Sequence, residues 1–173
     1  RAFTLSKNID DLQSAIKYAH THSMPYLILG KGSNVLFDDR GFNGLVILNK
    51  IDQLVINENN ISVGSAYSFS LLGTKTARLG WKGLEFASGI PGSVGGAIFM
   101  NAGASGVETC DYLSEVTFLH DRGDIEVFKK EDLEFSYRKS SFHRMKGAIV
   151  EAKFILESSV DSRQRQIDLI NYR

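Results

Sequence analysis

Near the start of the chain, Ile9, Leu12, Ala15, Ile16 and Ala19 recur at spacings of three and four residues. That spacing puts them on one face of an amphipathic helix, with Asn8 or Asp10 as its cap and Met24-Pro25 closing the segment. Tyr26-Leu27-Ile28-Leu29 then reads as a short apolar strand ending at Gly30, and Val35-Leu36-Phe37 and Leu45-Val46-Ile47-Leu48 read as two more. The opening stretch is thus expected to be a compact β-α-β-β unit. Further on, Leu54–Asn57 and Asn60–Gly64 flank Glu58-Asn59 as a hairpin, and Phe69, Leu72, Thr76 and Leu79 mark a helix stopping at Gly80. Val116–Leu119 and Ile125–Phe128 bracket a second hairpin, Ala148–Leu156 is a late strand, and Arg163–Ile170 begins a helix leading out of the domain. Strands and helices mix without strict βαβ alternation. The predicted class is therefore α+β, as two small subdomains over residues 1–50 and 51–157, with 158–173 the start of a linker.

Composition narrows what such a chain does. Twenty basic residues balance 20 acidic ones among 173, which argues against a partner held by bulk electrostatics, such as duplex nucleic acid or an acidic membrane surface. No apolar run approaches the roughly 20 residues that cross a bilayer, and no signal peptide is visible, so a soluble chain is expected. The single cysteine, Cys110, excludes an internal disulfide framework and a cysteine-rich zinc site. His20, His22, His120 and His143 are too scattered for a ligand set, so no metal is expected. Ser88, Ser93 and Ser105 lie in no nucleophile elbow, and Cys110 has no obvious base nearby. The chain opens on Arg1 and stops in mid-pattern, which reads as a piece of a longer protein.

The glycines supply the chemistry, with eight of the 16 lying between Gly80 and Gly106. Upstream of them, Gly30-Lys31-Gly32-Ser33-Asn34 starts like a dinucleotide fingerprint. It lacks the third glycine, and a strand rather than a helix is expected after it, so the Rossmann mechanism fails. Two readings remain: a nest of amide N–H groups for an anion, or a hairpin turn with Asn34 in the left-handed region. The run Ser88-Gly89-Ile90-Pro91-Gly92-Ser93-Val94-Gly95-Gly96-Ala97 interrupts both helix and strand, and suits backbone that must touch a ligand. Ile90 and Val94 are its apolar positions, suited to lying along a flat ring system. Ala97–Asn101 is expected to form a short helix that offers a phosphate site. Tyr137-Arg138, flanked by Phe135 and Phe142, either holds an anion or places Arg138 in a structural pair with Glu134 or Glu151.

Taken in order, Pro25–Leu36, Gly83–Ala97, Asn101-Ala102-Gly103-Ala104 and Phe135-Ser136-Tyr137-Arg138 resemble the flavin-binding half of the UDP-N-acetylenolpyruvoylglucosamine reductase (MurB) family of peptidoglycan synthesis. The resemblance implies a fold of the vanillyl-alcohol-oxidase type with FAD between the subdomains. It further implies hydride passage from NADPH through the flavin to a UDP-sugar enolpyruvyl ether, in the bacterial cytoplasm, serving cell-wall biogenesis, cell shape and cell division. It assigns FAD contacts to Gly30, Lys31, Gly32, Ser33, Asn34, Val35, Ser88, Gly89, Ile90, Pro91, Gly92, Val94, Gly95, Gly96, Asn101, Gly103 and Ile149. Substrate contact falls to Tyr137 and Arg138, and Arg138 is the catalytic arginine that steadies an enolate-like intermediate. Two departures stand out. Ser105 occupies the family's usual tyrosine position. The family's serine proton donor and catalytic glutamate belong to a C-terminal substrate domain, and its Asn-Thr segment precedes these motifs, so none of the three falls on this chain.

Overall fold

The computed structural model describes residues 2–172. Its first unit consists of β1 (Ala2–Ser6), α1 (Ile9–Thr21), β2 (Tyr26–Leu29) and β3 (Leu45–Asn49). The three strands form a wholly parallel sheet in the order β1-β3-β2. Asn8 caps α1 by accepting the Asp11 N–H at 2.8 Å, while Asp10 and Asp11 sit where the helix dipole favours negative charge. The expected apolar stripe is the buried one, with Leu12, Ile16 and Ala19 facing Leu45 and Ile47. Val35-Leu36-Phe37 is not a strand. Parallel neighbours cannot be joined by a hairpin, so residues 30–44 return across the sheet as a loop, and Leu36 is 98% exposed there. Strand β1 escaped the pattern reading because its alternation is inverted: Phe3 and Leu5 face out while Ser6 is buried.

The second unit opens with the hairpin β4 (Leu54–Asn57) and β5 (Asn60–Gly64), followed by α2 (Phe69–Arg78) and β6 (Trp81–Lys82). A 3-10 turn at Glu85–Gly89 leads to α3 (Val94–Phe99) and the small hairpin β7 (Gly103–Ala104) and β8 (Val107–Glu108). Then come β9 (Leu113–His120), β10 (Ile125–Lys129), a two-residue pair β11 (Phe135–Ser136) and β12 (Lys139–Ser140), β13 (Gly147–Ile155), β14 (Glu157–Ser158) and α4 (Ser162–Asn171). Five strands make an antiparallel sheet in the order β10-β9-β13-β5-β4. Parallel and antiparallel sheets are segregated along the chain, as α+β requires.

One face of the antiparallel sheet carries Ile61, Val63, Val116, Phe118 and Phe154 against Phe69, Leu72, Val94 and Ile98 of α2 and α3. The other face presents Leu119, Ala148 and Val150 to α1 and β3. A bulge in β13 between Ile149 and Glu151 allows this double use. Side chains alternate faces along a strand, and the extra residue resets the alternation. Ala148 and Val150 therefore join the first unit's core, while Ala152 and Phe154 join the second's. The closing helix does not lead away. Strand β14 pairs with β6, and α4 lies on α2 and the 3-10 turn with Ser162 and Gln166 buried.

Candidate functional site

The seam between the units begins at the end of β3. Asn49 donates through Nδ2 to Ser65 Oγ at 2.7 Å, and its Oδ1 accepts the Ile51 N–H at 2.9 Å. Ser65 N–H in turn donates to Val150 O. This buried tie holds the carboxyl ends of the parallel strands beside the loop that follows β5. The first glycine loop leaves β2 at the same place. Gly32 adopts φ +73°, so the left-handed residue is Gly32 rather than Asn34, and the strands it links are not a hairpin. Among the described residues, no protein acceptor takes the amides of Lys31, Gly32, Ser33 and Asn34. These amides are therefore open to water or to an anion.

The second glycine run is more ordered than expected. Ser93 caps α3 through Oγ, which accepts the Gly96 N–H, and the helix covers Val94–Phe99 rather than Ala97–Asn101. Val94 N–H donates to Tyr67 O and Gly95 N–H to Ser65 O. The first amides of α3 are thus satisfied within the protein, and the helix start is not a phosphate site. Gly95 is glycine because a Cβ there would approach Ser65 Cβ to 2.9 Å. Val94 is fully buried in the core, and Ile90 packs partly against that core. Ile149 is likewise buried in this core cluster.

The two loops meet. A Cβ on Gly30 would overlap Ser93 Oγ, and one on Gly92 would come no nearer to any neighbour than Ser33 Oγ at 3.9 Å. Gly32 and Gly92 both hold left-handed φ, at +73° and +132°, and both face open space where a side chain would stand. Ser88 Oγ is buried without a partner among the described residues, and Gly89 and Pro91 are exposed. Bare backbone and free amides around an open groove fit a dinucleotide held by main-chain contacts.

Arg138 comes to this groove from 104 residues away. Tyr137 and Arg138 are the two turn residues between β11 and β12, with Tyr137 83% exposed and Arg138 at φ +56°. Arg138 donates from Nη2 to Asn34 Oδ1 at 3.2 Å. The structural pairs considered for it are absent: Glu134 binds Arg144, and Glu151 accepts from Gln53. An exposed arginine in a backbone conformation that disfavours side chains, with no carboxylate partner among the described residues, is available to a ligand. Asn101, by contrast, is 2% exposed with its amide bonded within the protein, and Gly103 opens the β7–β8 hairpin, where Ser105 and Gly106 make the turn with φ +57° and +80°.

A cavity of about 240 Å³ adjoins the first loop, between Gly30, Lys31 and Lys50 on one side and Ala66, Tyr67 and Leu71 on the other. Asn49, Asp52 and Ser68 complete its wall. Burial, and then the nearby Asp52 charge, push the Tyr67 hydroxyl up, so it stays a neutral donor. Apart from Gly30 and Lys31, the sequence reading missed these residues. Their only signal is the small-residue run Gly64-Ser65-Ala66 closing β5. Elsewhere, burial raises the Cys110 thiol, with Asp111 and Glu108 adding to it. At 9% exposure this thiol is expected to resist a thiol reagent at pH 8 until the protein unfolds; rapid labelling of the native protein would show otherwise. Among the described residues, no three His, Cys, Asp or Glu side chains gather as a metal set.

A small parallel sheet beside an antiparallel one, joined at glycine loops that line an open groove, defines a domain built for a flavin dinucleotide. A family model described as an FAD binding domain matches residues 1–129, and the chain belongs to that family. Over 99% of its length it is 57% identical to the UDP-N-acetylenolpyruvoylglucosamine reductase of Protochlamydia amoebophila, covering 58% of that relative. It is 43% identical to the reductase of Chlamydia muridarum over its full length, covering 59% of that one. The chain thus spans under two thirds of the curated relatives it matches. The crystal structure of UDP-N-acetylenolpyruvylglucosamine reductase (MurB) from Thermus caldophilus superposes with a TM-score of 0.80 at 31% identity, over 98% of this chain and 61% of that one. The 6-hydroxy-D-nicotine oxidase of Arthrobacter nicotinovorans shares the fold alone, with a TM-score of 0.70 at 14% identity over 91% of this chain and 37% of that one.

Proposed function

We propose that this FAD-binding domain belongs to an NADPH-dependent reductase that converts UDP-N-acetylglucosamine enolpyruvate to UDP-N-acetylmuramate, a step of peptidoglycan precursor synthesis. The observation that carries the reading is the meeting of Arg138 with Asn34 of the first glycine loop. It sets an unpaired guanidinium beside the groove in a chain whose relatives carry that reductase's name. The amides of Lys31–Asn34 hold the pyrophosphate, Ser88–Gly92 line the groove, and the cavity at Lys50 and Tyr67 takes one end of the dinucleotide. Bound FAD supplies hydride transfer from NADPH to the enolpyruvyl double bond. Arg138 binds the substrate carboxylate in a fork and steadies the charge that develops on it.

The rest of the site, with the proton donor, belongs to a C-terminal substrate domain of the same protein, and this FAD-binding portion is inactive by itself. The division at residues 1–50 and 51–157 is part of the reading, as are a cytoplasmic location and the contribution to cell-wall biogenesis, cell shape and cell division. No helix among the described residues is long and apolar enough to cross a membrane. The complete protein is expected to be yellow, to be reduced anaerobically by NADPH and to be reoxidised by UDP-N-acetylglucosamine enolpyruvate. Failure of the folded protein to bind FAD would overturn the flavoenzyme reading. Binding and reduction without reoxidation by that substrate would overturn the assignment of the reaction.

A further inference from the structure

The turn that carries Arg138 is too short to fix itself. Strands β11 and β12 are two residues each, and Tyr137, Arg138 and Lys139 are exposed. Isolated two-stranded ribbons are marginal in water, so the direction of the guanidinium must be set from outside the turn. Two asparagines on other elements reach it. Asn101, just past the end of α3, donates from Nδ2 to Ser136 O at 3.3 Å, immediately before the turn. The same Nδ2 donates to Glu108 Oε2 at 2.7 Å, and Oδ1 accepts the Cys110 N–H at 3.2 Å. Asn101 itself sits at φ +42°, a region asparagine tolerates better than most side chains. After the turn, Ser140 Oγ donates to Phe99 O at 2.8 Å, tying the second strand to the same helix end. From the opposite side, Asn34 Oδ1 accepts from Arg138 Nη2.

We propose that Asn101 and Asn34 are positioning residues for Arg138: Asn101 fixes the backbone of its turn to the end of α3, and Asn34 aims the guanidinium over the first glycine loop. Asn101 therefore serves the site through the arginine and not by touching the flavin. The inference rests on the proposed role of Arg138. Its logic is geometric, since a guanidinium displaced by about an ångström from developing charge can cost up to ~10²-fold in rate.

The variant Asn101→Asp keeps the acceptor for Cys110 N–H and turns the donor shared by Ser136 O and Glu108 Oε2 into an acceptor, so the β7–β8 hairpin is disturbed along with the turn. In the complete protein loaded with FAD, it is expected to slow flavin reoxidation by UDP-N-acetylglucosamine enolpyruvate about 10–100-fold while leaving reduction by NADPH unchanged. In an Arg138→Ala background the same substitution should change the rate less than about threefold, because residues acting as a unit are not additive. Hydrogen exchange without substrate should quicken at residues 135–140 and not within α3. Asn34→Ala, at an exposed position, is expected to show the same non-additivity and covers the case in which Asn101→Asp does not fold. Additive effects, or exchange quickening as much throughout α3 as at residues 135–140, would overturn the positioning role. If Arg138→Ala alone leaves reoxidation unchanged, it is the proposed reaction that fails.

Discussion

Replacing Arg138 by alanine in the complete protein is expected to leave FAD bound and its reduction by NADPH intact, while slowing reoxidation by UDP-N-acetylglucosamine enolpyruvate about 10²–10³-fold. The size follows from where the side chain stands. Its only hydrogen bond among the described residues is to the neutral amide oxygen of Asn34, and the acids Glu134 and Glu151 are engaged with Arg144 and Gln53. A cation that no internal carboxylate compensates contributes little to folding at an exposed turn. Its charge is instead available to an anionic group placed over the loop. Truncation should therefore leave the melting temperature nearly unchanged, which separates this effect from any loss of fold. Arg138→Lys keeps the charge but loses the planar fork, and an intermediate rate is expected. An unchanged reoxidation rate in Arg138→Ala would show that the arginine does not face the reacting group.

The parts of this site that were legible in the sequence are those where backbone chemistry is written into residue type. Gly32 and Gly92 hold left-handed conformations beside open space, and in both places the run of small residues marked a loop whose backbone stands clear of the rest of the protein. The hairpins at β4–β5 and β9–β10 and the stripe of α1 followed from period alone, because each buries one face against a single partner. Legibility ended where tertiary contact decides. Gly95 looked like another ligand-facing glycine, yet it is the spot where α3 rests on Ser65. Val94, which looked suited to a ring system, and Ile149, given as an FAD contact by the resemblance, both have buried side chains in the core, since the sequence does not say which side of a helix start or of a bulged strand faces in. Asn49, Lys50, Asp52, Ala66, Tyr67 and Ser68 lie in plain strand ends and turns, and only the docking of the two sheets brings them together. The exposed Val35-Leu36-Phe37 misled for the same reason: strand-like composition forms no strand without a neighbour to pair with.

The second large effect is expected at Gly73, in the middle of α2. In an exposed helix, Gly→Ala stabilises by roughly 0.5–1 kcal/mol because alanine has less backbone freedom to lose. Here the sign reverses. A Cβ on Gly73 would overlap the Leu84 carbonyl oxygen and stand 2.9 Å from Ser88 N and 3.0 Å from Ala87 Cβ. Two of those three atoms are backbone, so no side-chain rotation relieves the contact, and the 3-10 turn must move off the helix. Overpacking of this kind costs about 1–3 kcal/mol, which exceeds the propensity gain over most of its range. At roughly 2–4 °C per kcal/mol for a domain of this size, Gly73→Ala is expected to lower the melting temperature by several degrees. The displaced turn is the one that delivers Ser88 and Gly89 to the groove, so FAD should also be released more readily. Gly32→Ala supplies the contrast. Its Cβ would meet only Leu29 Cδ1 at 4.0 Å, so beyond about 1–2 kcal/mol of left-handed strain its effect should fall on FAD binding. Thermal melts of the apoprotein and FAD titrations of both variants test the pair. A Gly73→Ala apoprotein that melts at or above the parent temperature would show that the turn yields without cost, and that the close approach of α2 does not hold the second glycine loop in place.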